Sequence, residues 1–566
     1  MRPRSLPSRP PSPSTSSPSP RRAAPPWRGF RPAGRAALYF LRGRDADARL
    51  RELAACLAAA RPVLGALALA LVGRRLFEPL GYRSLGDYGR ERLGVGARAI
   101  REWARVGRRL AELPALREAV LSGELAWGAA RLVVGLATPE TEAACLAAVR
   151  GRTVRAVEAI VRAYREAQGL AADAPEAREE EAADAERVAV RLACTRREHD
   201  LWIAAVELAR RVAGEEMALW QCAEAIAAEA ASAWGAGEEC VLPPDPQPGP
   251  QSAASAEPTA RGCAGREEPE HGLRHRAFPG LAWEGRARRL PARITALGEG
   301  LDARPAREID RRLRAVVAFL QAVDLEMGRI LRQMQDRRLF RELGFAGLAR
   351  YAAERLDLSA STAGRLVALA RAELRAPEVA RAFREGRIHA FQAHLVGRVA
   401  AADRAGARAW VERAQAVSLR RLEEETEAVP RPLIAFRAPP AAARFFLGML
   451  ERAGSLERLL AHAIVAWVEQ GEQFEDYATF ERDGFRCAVP GCTGRRNLHS
   501  HHIRLRSHGG PDDSWNRITL CAPHHERAVH GTASVRLRGT APDGLVFELG
   551  PEPAERFRSG DVRLGP

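Results

Sequence analysis

The chain has 566 residues, 46% of them hydrophobic, and 87 basic residues against 71 acidic ones give a net charge of +16. That length implies three or four domains, and the apolar content suffices to bury real cores, which excludes a chain too polar to fold. The positive balance favours a polyanionic partner. All 87 basic residues are arginine. With the heavy use of Ala, Gly and Pro, this reads as the mark of a very GC-rich genome, so arginine in place of lysine carries no functional meaning. The net charge survives that discount.

Residues 1–44 form a Pro/Ser/Arg-rich basic tail, expected to be disordered. It either grazes DNA as a basic arm or is inert. Cys56, Cys145, Cys194, Cys222, Cys240 and Cys263 are scattered without paired spacing. They read as small apolar fillers in a reducing compartment. No secretory signal is evident. The longest apolar run, Val63 to Val72, is half of the roughly 20 residues a span requires, so a buried helix and no membrane are expected.

From Asp45 the chain turns helical, and an internal repeat emerges. Arg74-Arg75-Leu76-Phe77 and Leu80-Gly81-Tyr82 recur as Arg337-Arg338-Leu339-Phe340 and Leu343-Gly344-Phe345, at an offset of 340 − 77 = 263. The same offset maps Tyr88 onto Tyr351, Pro114 onto Pro377 and Gly123 onto Gly386. Two similar all-helical repeats are therefore expected, over 45–236 and 279–470, joined by a flexible linker at 237–278. Within each lies a helix-turn-helix pattern. In the first, Ser84 caps a helix running to Leu93, Gly94-Val95-Gly96 turns, and a second helix runs from Ala97 to Leu110. In the second, Asp357-Leu358-Ser359 turns into a helix from Ala360 to Leu374. Arg98, Arg101, Arg105 and Arg108 follow i, i+3, i+7, i+10, which puts four guanidinium groups on one helix face suited to DNA. The bland alternative is a solvated arginine face. The second copy has Ser361, Gly364, Ala368 and Arg371 there. The first repeat is thus expected to grip DNA and the second to bind weakly or do another job. His389 and His394 read as packing or surface residues.

The segment 471–550 holds the chemistry. Seven of thirteen histidines and three of nine cysteines fall between Asp483 and Gly531. Cys487 and Cys492 flank a Pro-Gly knuckle, and Cys521 and His524 form a second close pair. Two such pairs a few tens of residues apart supply the thiolate and imidazole donors of a closed tetrahedral structural zinc site. Hydrolysis of a phosphodiester further needs a base for water and a cation for the leaving oxygen. His501 and His502, adjacent on a strand, point to opposite faces and can divide those tasks. A helix beginning near Ala522 would offer its N-terminus to a phosphate. Ser534 to Arg538 and Leu545 to Leu549 read as strands around an Asp543-Gly544 hairpin turn, and 551–566 as a tail.

The run HHI at His501–Ile503, RSHGG at Arg506–Gly510, Asp512, Asn516 and LCAPHH at Leu520–His525 resembles the HNH endonuclease family, the ββα-metal nucleases. The resemblance covers about a tenth of the chain. It implies a small zinc-stapled ββα module and hydrolysis of DNA by one activated water. It implies His502 as general base, Asn516 orienting His502 through the loop backbone, and His501 as ligand of a catalytic divalent metal. That metal is Mg²⁺ or Mn²⁺ first, Ni²⁺ or Zn²⁺ next. A further ligand is His525 or His530; the family often spaces its last two histidines four apart, and here they are five apart. His499 and His508 read as surface residues. Arg504 and Arg506 are candidate DNA contacts. The expected whole is a mainly α, multi-domain chain with duplex DNA as partner, and a double-strand cut would require a homodimer or two successive events. The alternatives are a non-catalytic zinc-stabilised DNA-binding protein and a structured-RNA nuclease.

Overall fold

The computed structural model describes residues 42–152, 154–167, 187–214, 217–234, 292–356, 358–402, 406–426, 433–469, 474–552 and 554–558. Residues 1–41 of the basic N-terminal tail, all of the linker at 237–278, Asp357, Cys240 and Cys263 lie outside them. The architecture is mainly helical, with small sheets.

Two helices of 31 residues, Gly43–Gly73 and Ala306–Asp336, pack against each other at the centre. Both are built mainly from helix-forming residues and place an acid in the first turn, and the first runs on through an interior Pro62. They begin 306 − 43 = 263 residues apart. Each is followed by a left-handed arginine, Arg75 at φ 50° and Arg338 at φ 55°, and then by a left-handed glycine, Gly81 and Gly344. A T-shaped ring pair repeats too: Tyr82 on Tyr88 at 5.5 Å, Phe345 on Tyr351 at 5.4 Å.

The contacts between the two halves are reciprocal. Tyr88 Oη and Arg92 Nη2 donate to Asp310 at 3.1 and 2.5 Å. Tyr351 Oη and Arg355 Nη2 donate to Asp47 at 3.1 and 2.6 Å. Asp47 and Asp310 are again 263 apart, so residue i meets j while j's counterpart meets i's, the pattern of a two-fold interface. Burial works against the Asp310 carboxylate, and the Arg92 charge outweighs it, holding its pKa below the ordinary value. One core contains residues 46–104 together with 294–367. The two halves thus interlock in a common core.

The second helix of the first half, Ala97–Glu112, crosses the central helix at a glycine pair. A Cβ on Gly107 would lie 2.4 Å from the Gly65 carbonyl carbon. The backbones touch only because neither residue has a side chain. Gly107→Ala is therefore expected to lower stability by about 1–3 kcal/mol through overpacking, read as a fall in the denaturant midpoint. Ahead of that helix, Ser84 accepts from Asp87 N, and the helix it caps continues as a wider π turn over Gly89–Leu93 before left-handed Gly94. In the second half Ser359 accepts from Thr362 N at the start of Ala360–Arg375.

His389 packs over Gly94, and its Nδ1 accepts from Gln392 N at 3.4 Å. Burial pushes its pKa down to about 4. Its unfolded form binds protons more readily, so its contribution is present above pH 6.5 and lost as pH falls toward 4. Wild type is expected to lose about 2 kcal/mol more than a His389→Leu variant between pH 7 and pH 5, measured by urea unfolding.

Two strands arise inside the regions expected to be helical. β1, Val188–Ala193, pairs antiparallel with β2, Leu433–Ala438, with Val188 opposite Ala438 and Ala193 opposite Leu433. Helices Arg196–Ala213, Leu219–Trp234, Pro440–Ala453 and Leu456–Glu469 cover this ribbon in a second shared core. The first of them starts with a full capping box between Thr195 and Glu198. Among the described residues one helix, Gly43–Gly73, is apolar and long enough to cross a membrane, but half of its most apolar window is buried in protein.

The C-terminal module begins with helix Phe474–Arg482. It continues through β3 (Leu498–His502), β4 (Arg517–Cys521), a π-helix (Pro523–Gly531), and the sheet β5–β6–β7 at Val535–Arg538, Val546–Leu549 and Glu555–Arg558. β7 falls in the segment read as tail.

Candidate metal centres of the C-terminal module

The knuckle is shaped by its backbone. Cys492 N donates to Val489 O at 3.0 Å, left-handed Gly491 turns the chain, and Cys487 N and Ala488 N tie back to Gly494 O and Thr519 O. β3 and β4 pair with Leu498 opposite Cys521, so the second donor pair starts beside the knuckle. Cys487, Cys492, Cys521 and His524 are all buried, and their donor atoms lie within 4.8 Å of one another. Cys487 Sγ and Cys521 Sγ are 3.2 and 3.5 Å from His524 Nδ1, and Cys492 Sγ is 4.0 Å from Cys521 Sγ. These edges suit a tetrahedron around an ion with bonds of about 2.0–2.3 Å. The four groups can hold a metal such as zinc.

The surroundings prepare the donors. His524 Nε2 donates to Gly81 O at 3.1 Å, which leaves Nδ1 with its lone pair toward the sulfurs. Gly494 N donates to Cys492 Sγ at 3.3 Å. Cys487 and Cys521 hold the Cys492 thiol well above its ordinary pKa, while hydrogen bonds from Cys487 and Cys492 hold Cys521 well below. Buried thiols that compete for protons are matched by a cation that replaces them.

Both halves of the helical body grip this knuckle. Gly81 belongs to the first; from the second, Arg420 Nη1 donates to Cys487 O and Cys492 O at 3.1 and 3.0 Å. Burial pushes the Arg420 pKa down to about 10. Thr493 Oγ1 donates to Asp87 at 2.7 Å, and ion pairs join Arg527 to Glu78, Arg495 to Asp200 and Arg486 to Glu424.

A second cluster lies on the other part of the β3–β4–helix unit. Donor atoms of His501, His525 and His530 lie within 4.8 Å of one another. The rings meet edge to face, with centroids 5.2 Å apart for His501–His525, 5.1 Å for His501–His530 and 4.8 Å for His525–His530. The spacing of five is resolved by the helix itself. An α-helix turns 500° over five residues and separates them, whereas i→i+5 bonding brings them onto one face. Thr532 N donates to Arg527 O at 2.7 Å in that pattern. Both histidines therefore face His501. His525 Nδ1 is buried without a protein partner. Burial, then the neighbouring imidazoles, push the His501 pKa down to about 4, and burial with His499 lowers that of His525.

His502 is the next residue on β3 and turns to the opposite face. Its Nε2 lies 2.6 Å from Asp512 Oδ1. Arg506, then His502 and Arg517, depress the Asp512 pKa through hydrogen bonds. Asn516 is fully buried; its Oδ1 accepts from Arg504 N at 2.8 Å and its Nδ2 donates to Arg504 O and Pro511 O at 3.0 and 2.8 Å. It fastens both ends of the loop that carries Asp512.

Two contacts were not anticipated. His499 stacks on His525 at 4.9 Å and 5°. The available signal was its i−2 position, on the same strand face as His501. Asp512 pairs with His502, across ten residues of loop that no local pattern connects. Of the arginines expected at DNA, Arg98, Arg101, Arg108, Arg504 and Arg506 are exposed. Arg105 is clamped by Glu102 at 2.9 Å and donates to Arg131 O. Arg504 Nε donates to His508 O, and Arg506 pairs with Asp512 at 2.5 Å. Cys56, Cys145, Cys194 and Cys222 are free thiols.

Comparison of the chain with family models, with curated proteins and with solved structures found no match.

Proposed function

We propose that the chain is a metal-dependent endonuclease of the HNH type that hydrolyses DNA phosphodiester bonds, held on its substrate by a duplicated helical body. The observation that carries this reading is the convergence of His501, His525 and His530 beside His502. A zinc-stapled binding protein requires the Cys487/Cys492/Cys521/His524 cluster alone; three further imidazoles and an oriented fourth are surplus to it. In this reading His501, His525 and His530 hold a divalent ion. That ion would supply positive charge to the phosphate and the leaving oxygen; an all-imidazole donor set suits Zn²⁺ or Ni²⁺ before Mg²⁺ or Mn²⁺, which take oxygen ligands. His502 takes the proton of the attacking water. Asp512 accepts from its Nε2, which leaves Nδ1 as the basic nitrogen of the ring. Asn516 holds the loop on which Asp512 stands.

The reciprocal contacts at a 263-residue offset support a duplication whose copies pair within one chain. The exposed Arg98, Arg101 and Arg108 of the first copy are the proposed phosphate contacts of the body. Among the described residues there is one three-histidine cluster, so one chain cuts one strand at a time.

The test is digestion of supercoiled plasmid, linear duplex, single-stranded DNA and structured RNA by wild-type protein that is dialysed free of loosely held metal, keeps its one structural zinc, and is supplied with Mg²⁺, Mn²⁺, Ni²⁺ or Zn²⁺. Metal-dependent nicking of duplex DNA is expected. Binding without cutting under every metal overturns the enzyme reading, and preferential RNA cleavage overturns the substrate.

A further inference from the structure

The sheet β5–β6–β7 starts four residues after the histidine-bearing helix ends at Gly531. Its register pairs Arg536 with Glu548 and Glu548 with Arg556; it pairs Arg538 with Val546 and Val546 with Arg558. Strand alternation therefore gathers Arg536, Arg538, Arg556 and Arg558 on one face, around Glu548 and Val546. The opposite face, with Val535, Phe547 and Leu549, is packed into the module's core.

Glu548 is only 1% exposed, yet it carries three guanidinium groups. Arg538 Nη2 donates to it at 2.5 Å, Arg556 Nε at 2.8 Å and Arg536 Nε at 3.4 Å. Arg536 also reaches Glu552 at the rim, at 3.1 Å. The side chains of Arg538 and Arg556 stay 63% and 69% exposed. A buried carboxylate needs one cation to neutralise it. Arg538 and Arg556 share that one carboxylate, which leaves a positive excess whose mutual repulsion costs stability. A planar guanidinium fork anchored from below presents its other N–H groups in the geometry that matches a phosphate.

The sheet that carries this face is joined to the histidine-bearing unit from two sides. One is the short connection from the π-helix. The other is Ala541 N, in the β5–β6 loop, which donates to Trp515 O at 2.8 Å, one residue before Asn516.

We propose that this arginine face is a phosphate-backbone platform that carries the nucleic acid flanking the cut. The proposal rests on the nuclease reading above and adds a surface to it. The test uses the full chain with His502→Ala, so that binding is read without cleavage. Affinity for a labelled duplex is measured by anisotropy against salt, with and without Arg538→Gln/Glu548→Gln/Arg556→Gln. Removing the carboxylate with two of its three partners leaves Arg536 paired with Glu552. The slope of log affinity against log salt is expected to shrink by about 1.8, at about 0.9 per phosphate contact. In the catalytically intact chain the same triple change is expected to raise KM and leave kcat unaltered. Arg538→Lys/Arg556→Lys keeps the charge and is expected to keep most of the slope. An unchanged slope in a folded triple variant overturns the platform and leaves the nuclease standing. Loss of the slope in the lysine variant too would assign the effect to structure and also overturns it. A wild-type chain that neither binds nor cuts duplex DNA removes both readings.

Discussion

His502→Ala is expected to lower the rate of plasmid nicking by about 100- to 10,000-fold, the usual worth of a positioned general base. That range corresponds to about 3–5 kcal/mol of barrier. The side chain is suited to the role and dispensable to the fold. It stands at the end of β3, its ring partly open to solvent and hydrogen-bonded to a carboxylate that is itself exposed. Removing it opens no cavity in the module's core, so zinc content and thermal unfolding should stay at wild-type values. His501→Ala differs in kind, because His501 is buried beneath two other imidazoles and its loss disturbs the cluster as a whole. Nicking assays on both variants, with metal content measured alongside, separate the two roles. Equal cutting by wild type and His502→Ala would remove His502 as the base.

Cys492→Ser is expected to unfold the C-terminal module. Apparent zinc binding by such donor sets is worth about 10–16 kcal/mol at neutral pH and is inseparable from folding. The module is small, and the core around the knuckle is built from the ligands themselves: Cys487, Cys492 and Cys521 sit in it with Val489, Ile518 and Leu520. Without the metal those thiols become competing buried acids beside an imidazole. Purified wild type should carry about one tightly held zinc, and chelation should release it with a cooperative loss of structure in the module. The helical body should keep its own transition, because its cores lie elsewhere. Coupling is still expected at the junction: His524 bonds Gly81, and Arg420 caps the knuckle carbonyls, so the body's midpoint should drop as well. Protein that folds fully and holds no zinc would refute the assignment.

How far each feature was legible depended on the range of the interactions behind it. The donor spacing of Cys487, Cys492, Cys521 and His524 was readable because the ligands of each pair lie only a few residues apart in the chain. The cap at Ser84 was readable for the same reason, since a side chain reaching three residues on leaves a local mark. So were the strands on either side of Asp543-Gly544, whose alternation persists over four or five residues. β1 and β2 left no such mark. The six residues Val-Ala-Val-Arg-Leu-Ala of β1, beside alanine-rich helices, read equally as helix, and β2 starts 433 − 188 = 245 residues further along the chain.

The choice between His525 and His530 shows the same divide. Spacing alone set them on different faces of an α-helix. The π-helical turn put both against His501, and only packing against the paired strands selects that wider winding. The pairing of His502 with Asp512, the stack of His499 on His525 and the burial of Glu548 under three arginines were decided likewise.

By itself the chain's sequence determined which atoms could bind a metal, where some helices begin, and that a set of residues recurs at an offset of 263. Tertiary structure decided that the two halves share one core, that Gly81 and Arg420 hold the knuckle from opposite halves, and which imidazoles converge. Ligand type and capping are properties of neighbours in the chain, whereas convergence depends on where distant segments are forced to meet when they exclude water.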